Sequence, residues 1–358
     1  MEFGLSDEQK MLQQSIGGYL QENGGLKRVR PFADEDQDRA EDLWTGFAEL
    51  GIPGLLIAEE HGGLGFSMLD AALVAEVLGY NIAPAPFAAS VVMVPLAIAR
   101  AGSAEQQAAW LPKLADGSVI AGAALTEAVG AREGAGVQAD GSTLNGKALF
   151  VIDFEADVYL VADDQRRLYL VEANAPGLQR QRLSTVDKTR RVGELIFDGT
   201  PADPLPNGDG VLTQIIDAGR IVLAADTLGA AQCMLDQAVA YSKVREQFGR
   251  VIGSFQAVKH LCAEMAAHLE PCRAMSWYAA HAYDNLPDEA RLTALHTRAH
   301  IAEVAKEVAK KSTEVHGGVG FTDELGLHYW FKRINLSRQL LGGPDRVREE
   351  AAQLQGLA

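Results

Sequence analysis

The chain has 358 residues, 47% of them hydrophobic and 22% charged, which suits two or three domains around a large buried core. Lys and Arg total 32 against 48 Asp and Glu, a net charge of −16. That excludes the basic field that nucleic acid or an anionic membrane surface requires, so any anionic ligand must be held by a few local cations. Cys233, Cys262 and Cys272 lack disulfide-framework or zinc-pair spacing and read as reduced core thiols.

The N-terminus, Met1-Glu2-Phe3-Gly4-Leu5, has neither the basic start nor the apolar core of a signal peptide. Ser6 reads as the cap of a first helix starting Asp7-Glu8-Gln9, with Met11, Leu12, Ile16 and Leu20 on one stripe. Further helices are predicted over 41–50 and 69–78, separated by the glycine-rich loop Glu59-Glu60-His61-Gly62-Gly63-Leu64-Gly65. The uncharged run from Ile82 to Ala99 is interrupted by Pro84, Pro86 and Pro95, so it reads as a loop entering a short buried helix, not a membrane span. A soluble, cytoplasmic chain is expected.

From about 116 to 205 the texture is that of short strands: 149–152, 159–161, 168–171 and 195–197. Asp116-Gly117, Asp140-Gly141, Asn145-Gly146 and Asp198-Gly199 read as turns between them, and a small antiparallel sheet or barrel is predicted. Beyond Pro206 the chain is helical. Phe255, Val258, Leu261, Cys262, Met265, Leu269 and Cys272 form one stripe with Ser254 as the expected N-cap, and Pro287 opens another helix towards Lys311. The predicted fold is α+β, mostly α. It has an N-terminal helical domain (1–115), a middle antiparallel β-domain (116–205) and a C-terminal four-helix bundle (206–358).

No phosphate loop, H-E-x-x-H or dinucleotide glycine fingerprint is present. His296 and His300 with Glu303, and Glu264 with His268, have helical spacing that could hold a metal, but a solvated helix face explains them more simply. The turn Arg245-Glu246-Gln247-Phe248-Gly249-Arg250 sets two arginines beside a glycine, which suits a phosphate or a plain charged interhelical turn. In Glu314-Val315-His316-Gly317-Gly318-Val319-Gly320-Phe321 the first glycine stops a helix, and the extra glycines permit close backbone approach to a ligand or another subunit.

These two segments, with Ala124-Leu125-Thr126-Glu127 and the 59–65 loop, resemble the signature motifs of the acyl-CoA dehydrogenases, in family order along essentially the whole chain. The resemblance implies a tetrameric flavoprotein that removes the α-proton and β-hydride of an acyl-CoA thioester, with FAD completed by a neighbouring subunit and electron-transfer flavoprotein as acceptor. It implies that Arg245, Gln247 and Phe248 reach a flavin across the interface and that Gly317 and Gly318 approach it with backbone. Leu125 and Thr126 would bracket the isoalloxazine ring, with Phe150 at the family's aromatic stacking position.

The sequence also departs from the family. Ala128-Val129-Gly130-Ala131-Arg132 replaces the usual Pro and Gly-Ser-Asp, Ile152 stands where the family has a flavin-bonding threonine, and Glu314 replaces a glutamine. The base is missing: one family position falls at Leu341 or Gly342, the alternative at Gly219, and the nearest acids are Asp217 and Asp345. The residues favour one subunit of a hetero-oligomer whose paralogous partner supplies the base, a pattern the resemblance links to bacterial steroid side-chain degradation and bulky acyl-CoA. A homo-oligomer with a relocated base, or a non-catalytic scaffold on this fold, are the alternatives.

Overall fold

The computed structural model describes residues 4–130, 135–208 and 210–357. The first part is helical: α1 (Asp7–Asn23), α2 (Gly25–Asp34), α3 (Glu41–Glu49), α4 (Met68–Tyr80), α5 (Val94–Ala101) and α6 (Ala104–Ala115). Ser6, Ser67 and Ser103 open α1, α4 and α6 with reciprocal caps to Gln9, Asp70 and Gln106, satisfying amides that a helix start leaves open. The proline-rich run behaves as predicted, a loop entering a buried π-helical segment, Ala88–Met93, that continues into α5. Pro95 stands just past the junction where the π-helical segment passes into α5. Among the described residues no helix is long and apolar enough to cross a membrane.

The middle of the chain forms a sheet from β1 (Ala121–Ala124), β2 (Gly136–Asp140), β3 (Thr143–Ile152), β4 (Val158–Ala162), β5 (Leu168–Glu172), β6 (Leu178–Arg182), β7 (Val192–Pro201) and β8 (Asp203–Pro204). The strand order is β6-β7-β3-β1-β4-β5-β8, with β2 on β3. Its pairings are antiparallel as expected, except that β1 and β4 run parallel, because the β2–β3 excursion between them lets β4 return in the direction of β1. Asp140-Gly141 makes the predicted turn. Asn145-Gly146 and Asp198-Gly199 do not: they lie inside β3 and β7 and face each other across one bulge, where the Gly199 amide donates to Asn145 Oδ1 at 2.8 Å. Gly146 sits there at φ 111°, a conformation costly for any other residue.

The last part packs α7 (Val211–Val244), α8 (Gln256–Asn285), α9 (Pro287–His316) and α10 (Leu327–Ser337) as a bundle, with α11 (Pro344–Leu354) laid on α9. Helix α7 is buried on nearly every side, as its continuous apolar run requires. Phe255, not Ser254, occupies the N-cap of α8; Ser254 belongs to a short 3-10 turn and its hydroxyl donates to the Val251 carbonyl at 2.7 Å. The local bond within the turn is available one residue too early for Ser254 to reach the helix amides.

Two features tie the parts together. Helices α4 and α7 cross at backbone contact: a Cβ on Gly79 would strike the Asp226 carbonyl, and one on Gly229 the Glu76 carbonyl. Nearby, Arg333 of α10 clasps Asp226 of α7 at 2.6 and 3.0 Å and reaches Thr189 Oγ1 and the Ala83 carbonyl. Arg190 joins the same carboxylate at 2.6 Å. Burial opposes the charge on Asp226, yet Arg190 and Arg333 hold its carboxyl below the usual range.

Candidate active site

Helix α7 ends at Val244, and Arg245 leads into a two-stranded ribbon, β9 (Glu246–Gln247) and β10 (Arg250–Val251). Phe248 and Gly249 form its tip at φ 54° and 75°, the left-handed pair that matches strand twist in a two-residue hairpin. Arg245 through Arg250 are all exposed, and Phe248 is 91% exposed, a large apolar ring held out in water. It makes an edge contact with Phe255 at 6.1 Å, and the Arg250 guanidinium lies 4.0 Å from that same ring.

Helix α9 runs past Lys311 and stops at His316, with Gly317 at φ 62°. His316 Nδ1 donates to the Ser312 carbonyl at 2.7 Å, and the ring lies 4.8 Å from Tyr241, one turn before Arg245. Burial pulls the His316 pKa down, and the bond to Ser312 only partly offsets this. The contact sets the ribbon and the glycine turn side by side at one end of the bundle. Gly317 and Gly318 are exposed, with open space where side chains would project, whereas a Cβ on Gly320 would lie 2.8 Å from the Thr313 carbonyl. One glycine of the motif is thus explained by packing and two are not. Glu314 is exposed at the same end.

The other half of the expected site is interior. Leu125 and Thr126 are buried, and the Thr126 hydroxyl donates to the Phe150 carbonyl at 3.2 Å. Phe150 is half-buried with φ 53°, a strained conformation for an aromatic residue. Ile152 is buried in the sheet between Ala123 and Val192. Ala131 and Arg132 lie outside the described residues.

Glu127, on the turn after Thr126, closes the 124–127 signature segment, although the resemblance gave it no role. Its Oε1 accepts from the Leu149 amide, while Oε2 is buried with no partner among the described residues. Burial pushes its carboxyl up to about 7. The folded value lies above the unfolded value of about 4.3. Its stabilising contribution is therefore full below that value and is lost as pH rises to about 7. Glu127→Gln keeps an acceptor for Leu149, so the variant should exceed the parent in urea midpoint at about pH 8 and converge with it near pH 4. Identical midpoints at both ends would show that the charge is accommodated after all.

The two positions where a base was sought converge on one residue. Gly219 precedes Arg220 on α7, and a Cβ on Gly342 would lie 3.3 Å from Arg220 Nη2. A Cβ on Gly219 would meet Leu341 Cδ1 at 2.6 Å and Met93 Sδ at 2.7 Å, so this spot is filled by apolar side chains. Arg220 is fully buried, donating to the Leu341 carbonyl at 3.0 Å and to both Glu350 oxygens at 2.9 and 3.0 Å. Asp217 is buried against Arg220 at 3.3 Å and Arg291 at 3.1 Å, and burial pushes its carboxyl up to about 6 against the pull of those arginines. Asp345 faces solvent and pairs with Arg348 at 3.2 Å. The crowding around Arg220 and Met93 carries no local signal, because Leu341 and Glu350 lie more than a hundred residues from Arg220 and Gly219 more than a hundred from Met93.

His296 and His300 are exposed, Glu303 pairs with Arg338, and Glu264 pairs with Lys311 at 2.7 Å. Among the described residues no group of three His, Cys, Asp or Glu is placed to hold a metal.

Residues 6–118 match the acyl-CoA dehydrogenase N-terminal domain and residues 207–353 the acyl-CoA dehydrogenase C-terminal domain. The chain is similar to acyl-CoA dehydrogenase IpdE2 of Mycobacterium tuberculosis, 32% identical over 95% of each chain. Among solved structures it is similar to the ChsE4-ChsE5 complex from Mycobacterium tuberculosis, with a TM-score of 0.93 at 27% identity over 100% of both chains. It is also similar to the Tcur3481-Tcur3483 steroid ACAD, with a TM-score of 0.89 at 30% identity over 98% of both. Together with the fold, these matches show that the chain belongs to the acyl-CoA dehydrogenase family, whose members are FAD-dependent oxidoreductases.

Proposed function

We propose that this chain is one subunit of a mixed acyl-CoA dehydrogenase acting on a bulky, steroid-type acyl-CoA thioester, with a paralogous subunit supplying the catalytic base. The observation that carries the reading is the convergence of both family base positions on Arg220, with Leu341, Gly342 and Gly219 there and no carboxylate free. Support comes from relatives that are a steroid acyl-CoA dehydrogenase and a two-component complex.

The exposed end of the bundle fits FAD. Arg245 offers an exposed guanidinium, and Gln247 a carboxamide that donates only to the adjacent Glu246 carbonyl among the described residues. Gly317 and Gly318 add open backbone, and together these groups suit a pyrophosphate anion of the partner's cofactor. Phe248 would cover an adenine or ring face there. The interior half fits less well. Leu125, Thr126 and Phe150 would face the ring, but the Thr126 hydroxyl is already spent on Phe150 and Ile152 offers no hydrogen bond. FAD, when bound, supplies the acceptor for the β-hydride. A carboxylate of the partner would take the α-proton, and electron-transfer flavoprotein would be the electron acceptor. This chain holds the cofactor's anionic end and seals its own base position with Leu341 and Met93.

A relocated base is the second reading, since Asp217 is the nearest acid in the sequence and is buried; its two oxygens are held by arginines, Arg220 at 3.3 Å and Arg291 at 3.1 Å. The deciding experiment purifies the chain alone and with a paralogous subunit, then measures flavin absorbance and acyl-CoA oxidation. Flavin and activity are expected only in the mixed assembly. A homotetramer that is active alone with one flavin per chain overturns the proposal, and a colourless mixed assembly supports a scaffold instead.

A further inference from the structure

In a chain of net charge −16, the segment from Leu178 to Arg191 carries five cations and one acid. It covers β6 and the loop entering β7, and with the turn after α2 it encloses a cleft of about 240 Å³. Arg182, Lys188, Arg190 and Arg191 line this cleft, with Ser184 at its mouth. Two of the arginines are committed elsewhere. Arg190 holds Asp226, and Arg191 donates to the carbonyls of Phe32, Gln37 and Lys188. Both contribute potential, and Arg190 keeps one buried donor, Nε, without a partner among the described residues. Lys188 and the Ser184 hydroxyl have no side-chain partner among the described residues, although both line the same space.

The remaining charge is the informative one. Arg182 is bound by Asp36 and by Asp38, the latter at 2.6 Å. Asp36 also approaches Arg191 at 3.6 Å, so two guanidiniums converge on one carboxylate. That carboxylate is 65% exposed and belongs to a residue with φ 52°, outside the conformations an L-residue prefers. An exposed carboxylate is a solvent-screened counter-ion that a second anion can displace. Within the cleft Asp187 is the other acid, and it is fully buried and bonded to Thr189.

We propose that this cleft binds a phosphate-bearing small molecule, whose anion replaces the Asp36 carboxylate at Arg182 and takes further bonds from Lys188 and Ser184. A phosphate brings more charge and more acceptor oxygens than one carboxylate, and bidentate guanidinium contacts favour it. The site is separate from the Arg245 ribbon and does not depend on the dehydrogenase reading.

The test is calorimetric titration of the purified chain with inorganic pyrophosphate and with ADP at low ionic strength, where charge contacts are least screened. Saturable binding of one equivalent is expected. Arg182→Gln should weaken it about tenfold or more, the scale of removing a charged hydrogen bond. Lys188→Gln should weaken it, and Asp36→Asn should tighten it by removing the competing charge. Tighter binding of ADP identifies a nucleotide, and equal binding identifies the bare phosphate group; both support the site. Should Arg182→Gln fail to fold, Lys188→Gln and Asp36→Asn still decide. Absence of saturable binding in both parent and Asp36→Asn overturns the proposal. So does binding that survives Lys188→Gln and disappears in Arg245→Gln.

Discussion

Asp226→Ala should lower stability by about 4 kcal/mol, the scale of breaking a buried ion pair from one side. The substitution leaves Arg190 and Arg333 with two guanidiniums in the interior and no carboxylate bonded to either. Desolvated cations without a counter-charge cost far more than the small volume of the carboxyl group removed. Asp345→Ala supplies the contrast, because Asp345 is almost fully exposed and its pair with Arg348 is a surface one, so about 0.5 kcal/mol or less is expected. Urea midpoints of both variants measure the difference. A loss below about 1 kcal/mol for Asp226→Ala would mean that the neighbouring carboxylates Asp153 and Asp187 take over the arginines.

The double change Arg245→Gln with Phe248→Ala should strip flavin from the mixed enzyme while leaving the chain folded. Both side chains stand in solvent, and among the described residues neither holds an ion pair, so thermal melting of the free chain should be nearly unchanged. Flavin affinity of the mixed assembly is expected to fall about 100-fold, the combined effect of removing one charged hydrogen bond and one stacked ring. Retention of full flavin content would show that this end of the bundle faces no cofactor.

Much of the fold was legible because it is written locally. Ser6 and Gln9 are three residues apart, Gly317 stands one residue past its helix, and the proline spacing between 84 and 95 already forbids a span. Strand β1, Ala-Gly-Ala-Ala, and edge strand β6, Leu-Gln-Arg-Gln-Arg, carry little β-propensity and are strands only because neighbours pair with them. The bulge reads as two turns in sequence because Asn-Gly and Asp-Gly favour left-handed backbone in either setting, and only the partner strand distinguishes them. The signature segments of the candidate site were visible as motifs. The crowding of Gly219, Leu341 and Met93 around a buried Arg220 was not, since it depends on three elements meeting in space.

The glycine contacts between α4 and α7 bear on how the molecule can move. With Gly79 and Gly229 each seated on the opposing backbone, there is no side-chain layer between the two helices to act as a lubricant. Sliding one past the other would bring neighbouring side chains to spots with room only for a glycine, against the opposing backbone carbonyls, so the shear motion available to ordinarily packed helices is opposed here. The N-terminal helices around α4 and the bundle around α7 therefore travel as one rigid block. Any opening wide enough to admit a long ligand has to come from elements outside that crossing, such as the loop between α10 and α11.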